Sequence, residues 1–384
     1  MITKLRISNF KSHKETELNL RNLTLLTGVN GCGKTSVLQA LLLLRQSFKK
    51  NRLMQGLDLN NPLVSIGNGN EALSQFAESG EMCFDISCDG HELSFRYDAS
   101  NALNASFIPK SDYSDNVQPA LLQNLSLFNN NFHYISALRW GGRSNFPKDT
   151  YTVQTEAQLS NEKGQCELIG NFLHHYSSAK TFNYINGDEN QPMALLDQVV
   201  YWEQMISPGV NLRVEVSPDN NSYNVIYDFL AIGMGKPVKN LRAENIGFGI
   251  SYTLPVITAL IFAEPGSLLM IENPEAHLHP DGQLQLARLM ALTAQRGVQI
   301  IVETHSDHII NGTLKACYDA GKGERGIDRN NVGIYYFGCK SENNVSLYEE
   351  ISVEYGGQLS YQPKGFFDQV EEHQDYLNRY YNHD

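Results

Sequence analysis

The first fifty residues alternate short apolar runs with polar turns and then change to a helical pattern. Leu5–Ile7 and Leu23–Leu26 are β-like runs, and Thr35–Phe48 is rich in Leu, Ala and Gln, as helices are. A glycine-rich segment separates the second run from the helix. The pattern therefore predicts the order strand, strand, glycine loop, helix at the start of the chain.

A similar alternation returns in the last third of the chain. From residue 241 to about 305 the pattern predicts a glycine loop, a helix, a strand, a helix and a strand. Leu268–Ile271 and Ile300–Glu303 are short, almost continuous apolar runs of the kind found in buried strands. The alternation of strands and helices favours an α/β fold.

The middle of the chain is less regular. Residues 51–130 are rich in Asn, Gly, Ser and Asp and contain strand-like pieces, which indicates a β-rich flank of the first lobe. Further on, Leu195–Met205 has helical composition, and Leu212–Val216 and Tyr223–Phe229 are strand-like. No heptad repeat is sustained, so we expect no long coiled-coil arm.

Gly28–Thr35 has the sequence GVNGCGKT and matches the pattern G-x-x-x-x-G-K-[ST] at every fixed position. The glycines let consecutive backbone N–H groups turn toward one oxyanion, and the N-terminus of the following helix adds partial positive charge. Lys34 would place its charge between the β- and γ-phosphates, and the Thr35 hydroxyl would bind Mg²⁺. The sequence therefore predicts a site for ATP and Mg²⁺, with the nucleotide bound by Asn30, Gly31, Cys32, Gly33, Lys34, Thr35 and Ser36.

Three further motifs lie in the last third of the chain. Glu272 ends an apolar strand and begins the string Glu-Asn-Pro-Glu, which places carboxylates where an NTPase holds Mg²⁺. Gly247–Ser251 is a cluster of glycine and hydroxyl residues at a predicted helix start, a second position that suits an anion. Thr304–Ser306 follows the next strand and contains His305. Each motif alone also fits an ordinary structural role, but their order behind the phosphate loop is specific.

In this order the motifs resemble the ABC-type ATPase heads of the SMC, RecF and OLD families. The resemblance covers residues 1–50 and 240–310 well and the middle of the chain poorly. It implies an α/β fold of the ABC-type ATPase head class, in which a P-loop NTPase core carries a β-rich first lobe, a helical insertion and a short C-terminal domain.

The resemblance also implies roles for single residues. Glu272 would be the Walker B carboxylate, which binds the metal together with Thr35, and His305 would be the switch that senses the γ-phosphate. A signature loop would reach the γ-phosphate held by a second subunit, and a D-loop would follow Walker B. The signature loop corresponds to Gly247, Phe248, Gly249 and Ser251, and the D-loop region to His277–Pro280.

Three strings narrow the resemblance, namely Ser136–Arg139, Glu272–Pro280 and Pro363–Asp368. They are similar to strings in stand-alone bacterial ATPases that carry a short C-terminal domain of unknown function and often occur in defence loci beside an effector gene. We therefore predict an N-terminal lobe with the P-loop at 1–150, a mixed insertion lobe at 151–240 and a C-terminal ATPase lobe with the signature, Walker B and switch histidine at 241–340. A small C-terminal domain is predicted at 341–384.

The sequence departs from the ABC pattern directly after Walker B. Asn273 occupies the position where ABC heads place the glutamate that acts as general base. An amide orients water but does not accept its proton at neutral pH. Glu275 is the substitute catalytic base that we expect; the alternative is a protein that binds ATP and hydrolyses little. No Q-loop glutamine is evident, and Gln46 and Gln75 are candidates without further support.

Composition sets the remaining expectations. The net charge of −12 argues against a uniformly basic, nucleic-acid-binding surface, although a local basic strip stays open, comprising Arg139, Arg143, Lys148, Lys236, Lys239 and Arg242. The six cysteines have no zinc spacing, which suits reduced thiols in a cytoplasmic protein. Leu254–Ile271 is interrupted by Glu264-Pro265-Gly266, so we expect no membrane span.

These inferences lead to one preferred function and two alternatives. The preferred function is an ATP-hydrolysing switch, a homodimer around two nucleotides or a higher oligomer, that regulates or loads a separate effector protein in phage defence or DNA maintenance. The first alternative is a RecF-like repair ATPase with DNA as its partner. The second is a nucleotide-binding scaffold with little hydrolysis.

Overall fold

The computed structural model describes residues 1–112, 117–229, 238–339 and 345–363, together with residues 366, 374, 376 and 377. Its helices are α1 Lys34–Lys49, α2 Gly69–Ala72, α3 Pro119–Asn124, α4 Thr150–Gln154, α5 Ile169–Tyr176, α6 Leu195–Ile206, α7 Phe248–Phe262, α8 Pro280–Gln295 and α9 Asp307–Gly321. Its strands are β1 Ile2–Phe10, β2 His13–Asn19, β3 Leu23–Gly28, β4 Gly56–Asp58, β5 Glu81–Cys88, β6 His91–Asp98, β7 Phe107–Pro109, β8 Phe132–Ile135, β9 Asn145–Pro147, β10 Lys180–Thr181, β11 Met193–Ala194, β12 Val210–Val216, β13 Ser222–Phe229, β14 Val238–Arg242, β15 Leu268–Glu272, β16 Gln299–Glu303, β17 Val332–Cys339 and β18 Ser346–Ile351.

The central sheet has the strand order β18-β17-β3-β16-β15-β8, and all of its strands except β18 run parallel. The carboxyl ends of parallel strands meet at one edge of a sheet, where ligands of open α/β sheets bind. At this edge Glu272 of β15 lies opposite Glu303 of β16. Glu303 is in register with Leu26 of β3, just before the glycine loop. The topology therefore brings the glycine loop and two acidic strand ends together.

Both faces of the central sheet are buried. Leu25 and Val302 pack into a core cluster that includes residues of α7 and α8, whereas their neighbours Leu26 and Ile301 pack into a cluster formed with α1. A parallel sheet covered on both sides needs apolar residues at consecutive positions. This requirement explains why the predicted strands of this sheet are continuous apolar runs.

Two four-stranded antiparallel sheets are built from strands that alternate along the chain with those of the central sheet. The first has the strand order β2-β1-β5-β6, and its residues share a core cluster with α1. His13, at the start of β2, is hydrogen-bonded through Nε2 to the Gly33 carbonyl oxygen at 3.0 Å, which ties the β1–β2 turn to the glycine loop. The second sheet has the order β12-β13-β14, with β9 paired to β13, and lies mainly in the predicted insertion.

The described part of the C-terminal segment extends the central sheet. β17 pairs with β3, so that Phe337 lies opposite Gly28, and β18 pairs with β17. The segment predicted as a small domain at 341–384 thus contributes an edge strand to the ATPase sheet; the predicted domain boundaries stay predictions. Most of the string Pro363–Asp368 lies outside the described residues. Among the residues that the structure describes, no helix is both long enough and apolar enough to span a membrane.

Candidate nucleotide-binding site

The glycine loop connects β3 to α1 and needs glycine at two of its positions. Gly28 has φ 120°, and a Cβ atom there would lie 2.2 Å from the Phe337 carbonyl oxygen. Gly33 has φ 99°, and a Cβ atom there would lie 2.3 Å from Oγ of Ser346. Side chains would collide with β17 and β18 in this left-handed conformation. The loop is therefore held tightly against the C-terminal strands.

Lys34 folds back over the loop that precedes it. Its Nζ donates hydrogen bonds to the carbonyl oxygens of Gly28 (2.8 Å) and Val29 (2.7 Å), and the side chain is 3% exposed. Burial lowers the pKa of Lys34, while the nearby Glu303 carboxylate acts in the opposite direction. The loop thus contains a cation held at the position that the phosphate-loop motif requires.

Cys32 lies in the same loop and is buried. The cysteines Cys83, Cys88, Cys166 and Cys317 are buried free thiols, as expected. Cys32 itself is disulfide-bonded. The expectation of reduced thiols is therefore wrong at this position.

A cavity of about 510 Å³ opens over the loop. Most of the predicted nucleotide-binding residues line it, namely Asn30, Gly31, Gly33, Lys34, Thr35 and Ser36, together with Glu303 and the predicted switch His305. Its other described lining residues are Lys11, Ser12 and Gln39, which the sequence analysis did not identify. Nζ of Lys11 donates a 2.8 Å hydrogen bond to Oε1 of Gln39. A lysine in a β1–β2 turn has no local signature, and only the packing of this turn on the loop brings it to the cavity.

Glu303 is a further residue of the site to which the motif analysis gave no role. Its Oε1 accepts a 2.8 Å hydrogen bond from the Thr35 hydroxyl, and its Oε2 is buried without a hydrogen-bond partner among the described residues. Burial raises the pKa of Glu303 to about 7, and the neighbouring Glu272 carboxylate contributes in the same direction. An unpaired buried oxygen of this kind is uncommon in proteins and suits a polar ligand.

Glu272, the predicted Walker B carboxylate, lies beside Glu303 but has different contacts. Its Oε1 accepts a 2.8 Å hydrogen bond from the Tyr134 hydroxyl, and its Oε2 accepts a 3.0 Å bond from the Ala137 amide. The carboxylate hydrogen-bonded to Thr35 is therefore that of Glu303 and not that of Glu272. The predicted role of Glu272 as a metal ligand stays a prediction.

Glu275 and His305 are joined by a hydrogen bond. Oε1 of Glu275 accepts from the His305 amide at 2.8 Å, and burial raises the pKa of the Glu275 carboxyl. Burial also lowers the pKa of His305, and the charge of Lys34 acts in the same direction. The Gly28 backbone acts on the pKa of His305 in the opposite direction. The predicted base thus accepts a hydrogen bond from the backbone of the predicted switch, and His305 lines the cavity over the glycine loop.

Asn273 is held between these groups. Its backbone has φ 44°, and its backbone N–H donates a 2.8 Å hydrogen bond to the Glu303 carbonyl oxygen. Its side-chain Oδ1 is buried without a hydrogen-bond partner among the described residues. Asparagine tolerates the left-handed conformation better than most residues do. Glutamate in the same left-handed conformation would be more strained than asparagine.

The predicted signature loop lies at the start of α7. Gly249 packs against the His277 backbone, where a Cβ atom would lie 2.4 Å from the carbonyl oxygen. Oγ of Ser251 donates a hydrogen bond to the Phe248 carbonyl oxygen and accepts one of 2.8 Å from the Gly142 amide. None of the described residues that line the cavity comes from Gly247–Ser251. The hydroxyl of Ser251 is thus engaged within its own chain, away from its own phosphate loop.

The two glutamines considered for a Q-loop do not line this cavity. The Gln46 side chain is fully buried and is hydrogen-bonded to the backbone of Asp58, Leu63 and Val64, so it holds a neighbouring loop in place. Gln75 is exposed. A different segment contacts the Walker B carboxylate: the loop that follows β8, residues 136–142, is hydrogen-bonded to Glu272.

The predicted basic strip is only partly at the surface. Arg139 is buried, with 3% exposure, whereas Arg143, Lys148 and Arg242 are exposed. Lys236 and the side chain of Lys239 lie outside the described residues. Arg139 therefore cannot serve as a contact for DNA in this conformation.

The fold and the phosphate loop define a P-loop ATPase head. The chain belongs to the family described as "AAA domain, putative AbiEii toxin, Type IV TA system", whose model matches residues 23–311. A second model, for a protein of unknown function (DUF3696), matches residues 327–377. The predicted resemblance to ATPases with a C-terminal domain of unknown function is thereby confirmed.

Two solved structures show the same fold. One is an SMC head bound to the C-terminal winged-helix domain of ScpA; it is 15% identical with a TM-score of 0.53, over 92% of this chain and 98% of that one. The other is an Smc head domain with an extended coiled coil, bound to the C-terminal domain of ScpA derived from Pyrococcus furiosus; it is 14% identical with a TM-score of 0.52, over 98% of both chains. The predicted ATPase-head fold is confirmed. No curated protein matches the sequence significantly.

Proposed function

We propose that this chain binds Mg-ATP over its phosphate loop, hydrolyses it slowly and dimerises around two nucleotides to regulate a separate effector protein. The observation that carries the proposal is the complete phosphate loop, with Lys34 over the loop and Thr35 hydrogen-bonded to Glu303. Family and fold support ATP as the substrate.

The cavity suits a nucleotide in size and charge. Its volume of about 510 Å³ falls within the usual range for small-molecule sites. The phosphates would lie against the N-terminus of α1, where backbone N–H groups and the Lys34 ammonium neutralise their charge. Lys11 supplies a second cation from the β1–β2 turn.

The donors at the strand ends fit Mg²⁺, which prefers oxygen ligands and keeps several waters. The Thr35 hydroxyl and the unpaired Oε2 of Glu303 would bind it, with Glu272 acting through water. Among the described residues, no three acidic, histidine or cysteine side chains converge closely enough to hold a metal by themselves, so phosphate oxygens must complete the site. When bound, the ion would neutralise charge on the transferred phosphoryl group.

Hydrolysis requires a base near the γ-phosphate, and Glu275 is our candidate. Its raised pKa favours acceptance of a proton from water, and its hydrogen bond to the His305 amide would report the state of the switch. Asn273 would orient the water through its unpaired Oδ1. With the base displaced from its usual position, we expect slow turnover.

Dimerisation would complete each site with the signature loop of the second copy. The loop does not line its own cavity, and apolar side chains are exposed near it and on the phosphate loop: Val29 (52%), Leu138 (70%) and Phe248 (45%). Exposed apolar groups on a head of this kind suit a protein interface. The family description, which refers to a toxin of a type IV toxin–antitoxin system, supports a role in defence.

Three measurements on the purified chain test this proposal. We expect isothermal titration to detect binding of Mg-ATP, a phosphate-release assay to detect slow turnover, and light scattering to detect dimers with ATP but fewer with ADP. A chain that binds no ATP would contradict the proposal as a whole. A strict monomer with ATP bound would contradict the dimeric switch alone. Co-purification with and without ATP would identify the effector.

A further inference from the structure

The loop 136–142, between β8 and β9, contacts the Walker B end of the site. The Ala137 amide donates to Oε2 of Glu272 at 3.0 Å. Arg139 donates from Nη1 to the Glu272 carbonyl oxygen and from Nη2 to the Asn273 carbonyl oxygen, both at 2.8 Å. This loop therefore holds both the carboxylate and the backbone of the strand end.

The same loop also contacts the predicted signature helix, α7. Nε of Arg139 donates a 2.8 Å hydrogen bond to the Tyr252 carbonyl oxygen, and the guanidinium lies 3.9 Å from the centroid of the Tyr252 ring. The Tyr252 hydroxyl donates to the Ala137 carbonyl oxygen. The Gly142 amide donates to Oγ of Ser251. One short loop thus connects the signature helix to Walker B.

Arg139 is the centre of this connection, and only arginine can make all of its contacts. It is 3% exposed and donates to four carbonyl oxygens, the fourth being that of Ser136. A planar guanidinium reaches several acceptors in fixed directions, whereas the lysine ammonium is a single point. Burying a cation costs free energy, so a buried arginine is expected to add little to the stability of the fold. A role in positioning the groups that it contacts explains its burial better.

We propose that Arg139 is a positioning residue that couples the signature helix to Walker B. Movement of α7, when a nucleotide engages the signature loop, displaces Tyr252 and is transmitted through Arg139 to the backbone of Glu272 and Asn273. Hydrolysis then proceeds only when the signature loop is engaged. This coupling rests on the proposed function, because it needs ATP at the phosphate loop.

The chain offers a matched control for Arg139. Arg45, on α1, is buried to 2% exposure, donates to the carbonyl oxygens of Leu127 and Asn129, and stacks on the Phe132 ring at 4.1 Å. It contacts neither Glu272 nor α7 through any hydrogen bond among the described residues. Arg45→Lys therefore reproduces the effect of replacing a buried arginine by lysine, but leaves the contacts of the proposed coupling unchanged.

The kinetic test compares Arg139→Lys with Arg45→Lys. We expect Arg139→Lys to lower kcat for ATP hydrolysis roughly 10- to 100-fold with the ATP affinity nearly unchanged, the range for a small misplacement of reacting groups. Arg45→Lys should keep kcat close to that of the wild type even if it lowers the melting temperature equally. Equal losses of kcat in the two variants would overturn the proposal.

A second variant covers the case in which Arg139→Lys does not fold. Tyr252→Phe deletes only the hydroxyl that binds Ala137, and we expect it to lower kcat less than Arg139→Lys does. If both single variants fold, the double variant should show non-additive losses, since the two residues act in one connection. Wild-type kcat in Tyr252→Phe, or purely additive losses, would contradict the coupling.

Hydrogen exchange separates this proposal from failure of the proposed function. In the wild type, Mg-ATP should slow amide exchange in the phosphate loop, in residues 249–253 and in residues 271–273. In Arg139→Lys, or in Tyr252→Phe, residues 249–253 should still respond to Mg-ATP, but residues 271–273 should not. A response of residues 271–273 equal to that of the wild type in these variants would overturn the coupling even in a chain without turnover. A wild type with no protection in the phosphate loop would contradict ATP binding itself.

Discussion

The hydroxyl of Thr35 donates a 2.8 Å hydrogen bond to Oε1 of Glu303, although 268 positions separate the two residues in the chain. The contact arises because β3 and β16 are adjacent parallel strands whose carboxyl ends meet at the same edge. It connects the last residue of the phosphate-loop motif to a buried carboxyl with an unusual pKa.

The first prediction concerns Glu303 and the pH dependence of stability without nucleotide. Its pKa is about 7 in the folded chain and 4.5 in its ordinary state. At pH values between these two pKa values, the folded state binds more protons than the unfolded state. The free energy of unfolding therefore falls as the pH rises through this range. The slope from one such group is at most about 1.4 kcal/mol per pH unit. Glu303→Gln should flatten this fall between pH 5 and pH 7.

Urea unfolding at pH 5, 6, 7 and 8 measures the effect. Glu324→Gln, a change at an exposed carboxylate away from the cavity, controls for the loss of one acidic residue. We expect its profile to follow that of the wild type. A Glu303→Gln variant that loses as much stability with rising pH as the wild type would show that another group is responsible.

The second prediction concerns Lys34. Lys34→Ala should abolish ATP binding, because it removes the cation that would face the β- and γ-phosphates of a bound nucleotide. Isothermal titration measures the affinity, and Lys49→Ala, at the far end of α1, is the control that should bind normally. Unchanged affinity in Lys34→Ala would refute the assignment of this cavity to ATP.

The third prediction concerns the base that replaces the missing glutamate. If Glu275 accepts the proton, Glu275→Gln should slow hydrolysis by roughly 10²–10⁴-fold and leave ATP binding intact. Glu272→Ala should also impair turnover, since a metal carboxylate is needed in either case. Phosphate release at saturating Mg-ATP, paired with a binding assay, measures both.

The complementary change distinguishes an enzyme from a slow switch. Asn273→Glu should leave the rate unchanged or raise it if Glu275 is the base. If Glu275→Gln instead turns over at the wild-type rate and Asn273→Glu accelerates hydrolysis, the chain lacks a base, and our choice of Glu275 is wrong.

The fourth prediction concerns the dimer. Leu138, which is 70% exposed on the loop beside Walker B, should contribute to the interface. Leu138→Ser, made in the slowly hydrolysing Glu275→Gln background, should weaken ATP-dependent dimers about tenfold, as loss of an apolar interface contact does. Light scattering across a concentration series measures the dissociation constant. Leu103→Ser, at another exposed leucine, is the control; an equal effect of both changes would argue against a specific interface at Leu138.

The local sequence pattern was enough to predict those helices, strands and loops that depend on interactions between residues close together in the chain. The glycine loop between β3 and α1, the continuous apolar runs of β15 and β16, and β12 and β13 in the middle segment all lie within a few residues of their predicted positions. Each depends on interactions within one short segment: glycine dihedrals, helix-forming residues, or apolar positions that face a core. The order of the motifs was likewise sufficient to recognise the ATPase-head fold.

Only the tertiary structure decided which side chains meet at the site. The pairing of β15 with β16 places Glu303 beside Glu272, and the packing of the β1–β2 turn on the glycine loop brings Lys11 to the cavity. The burial of Arg139 between Walker B and α7 has the same origin. These contacts join residues tens to hundreds of positions apart, and strand register together with the packing of turns and helices on the sheet selects them. Local periodicity in the sequence does not determine which distant side chains meet. The free energy that favours these contacts comes from the packing of whole sheets and helices against one another.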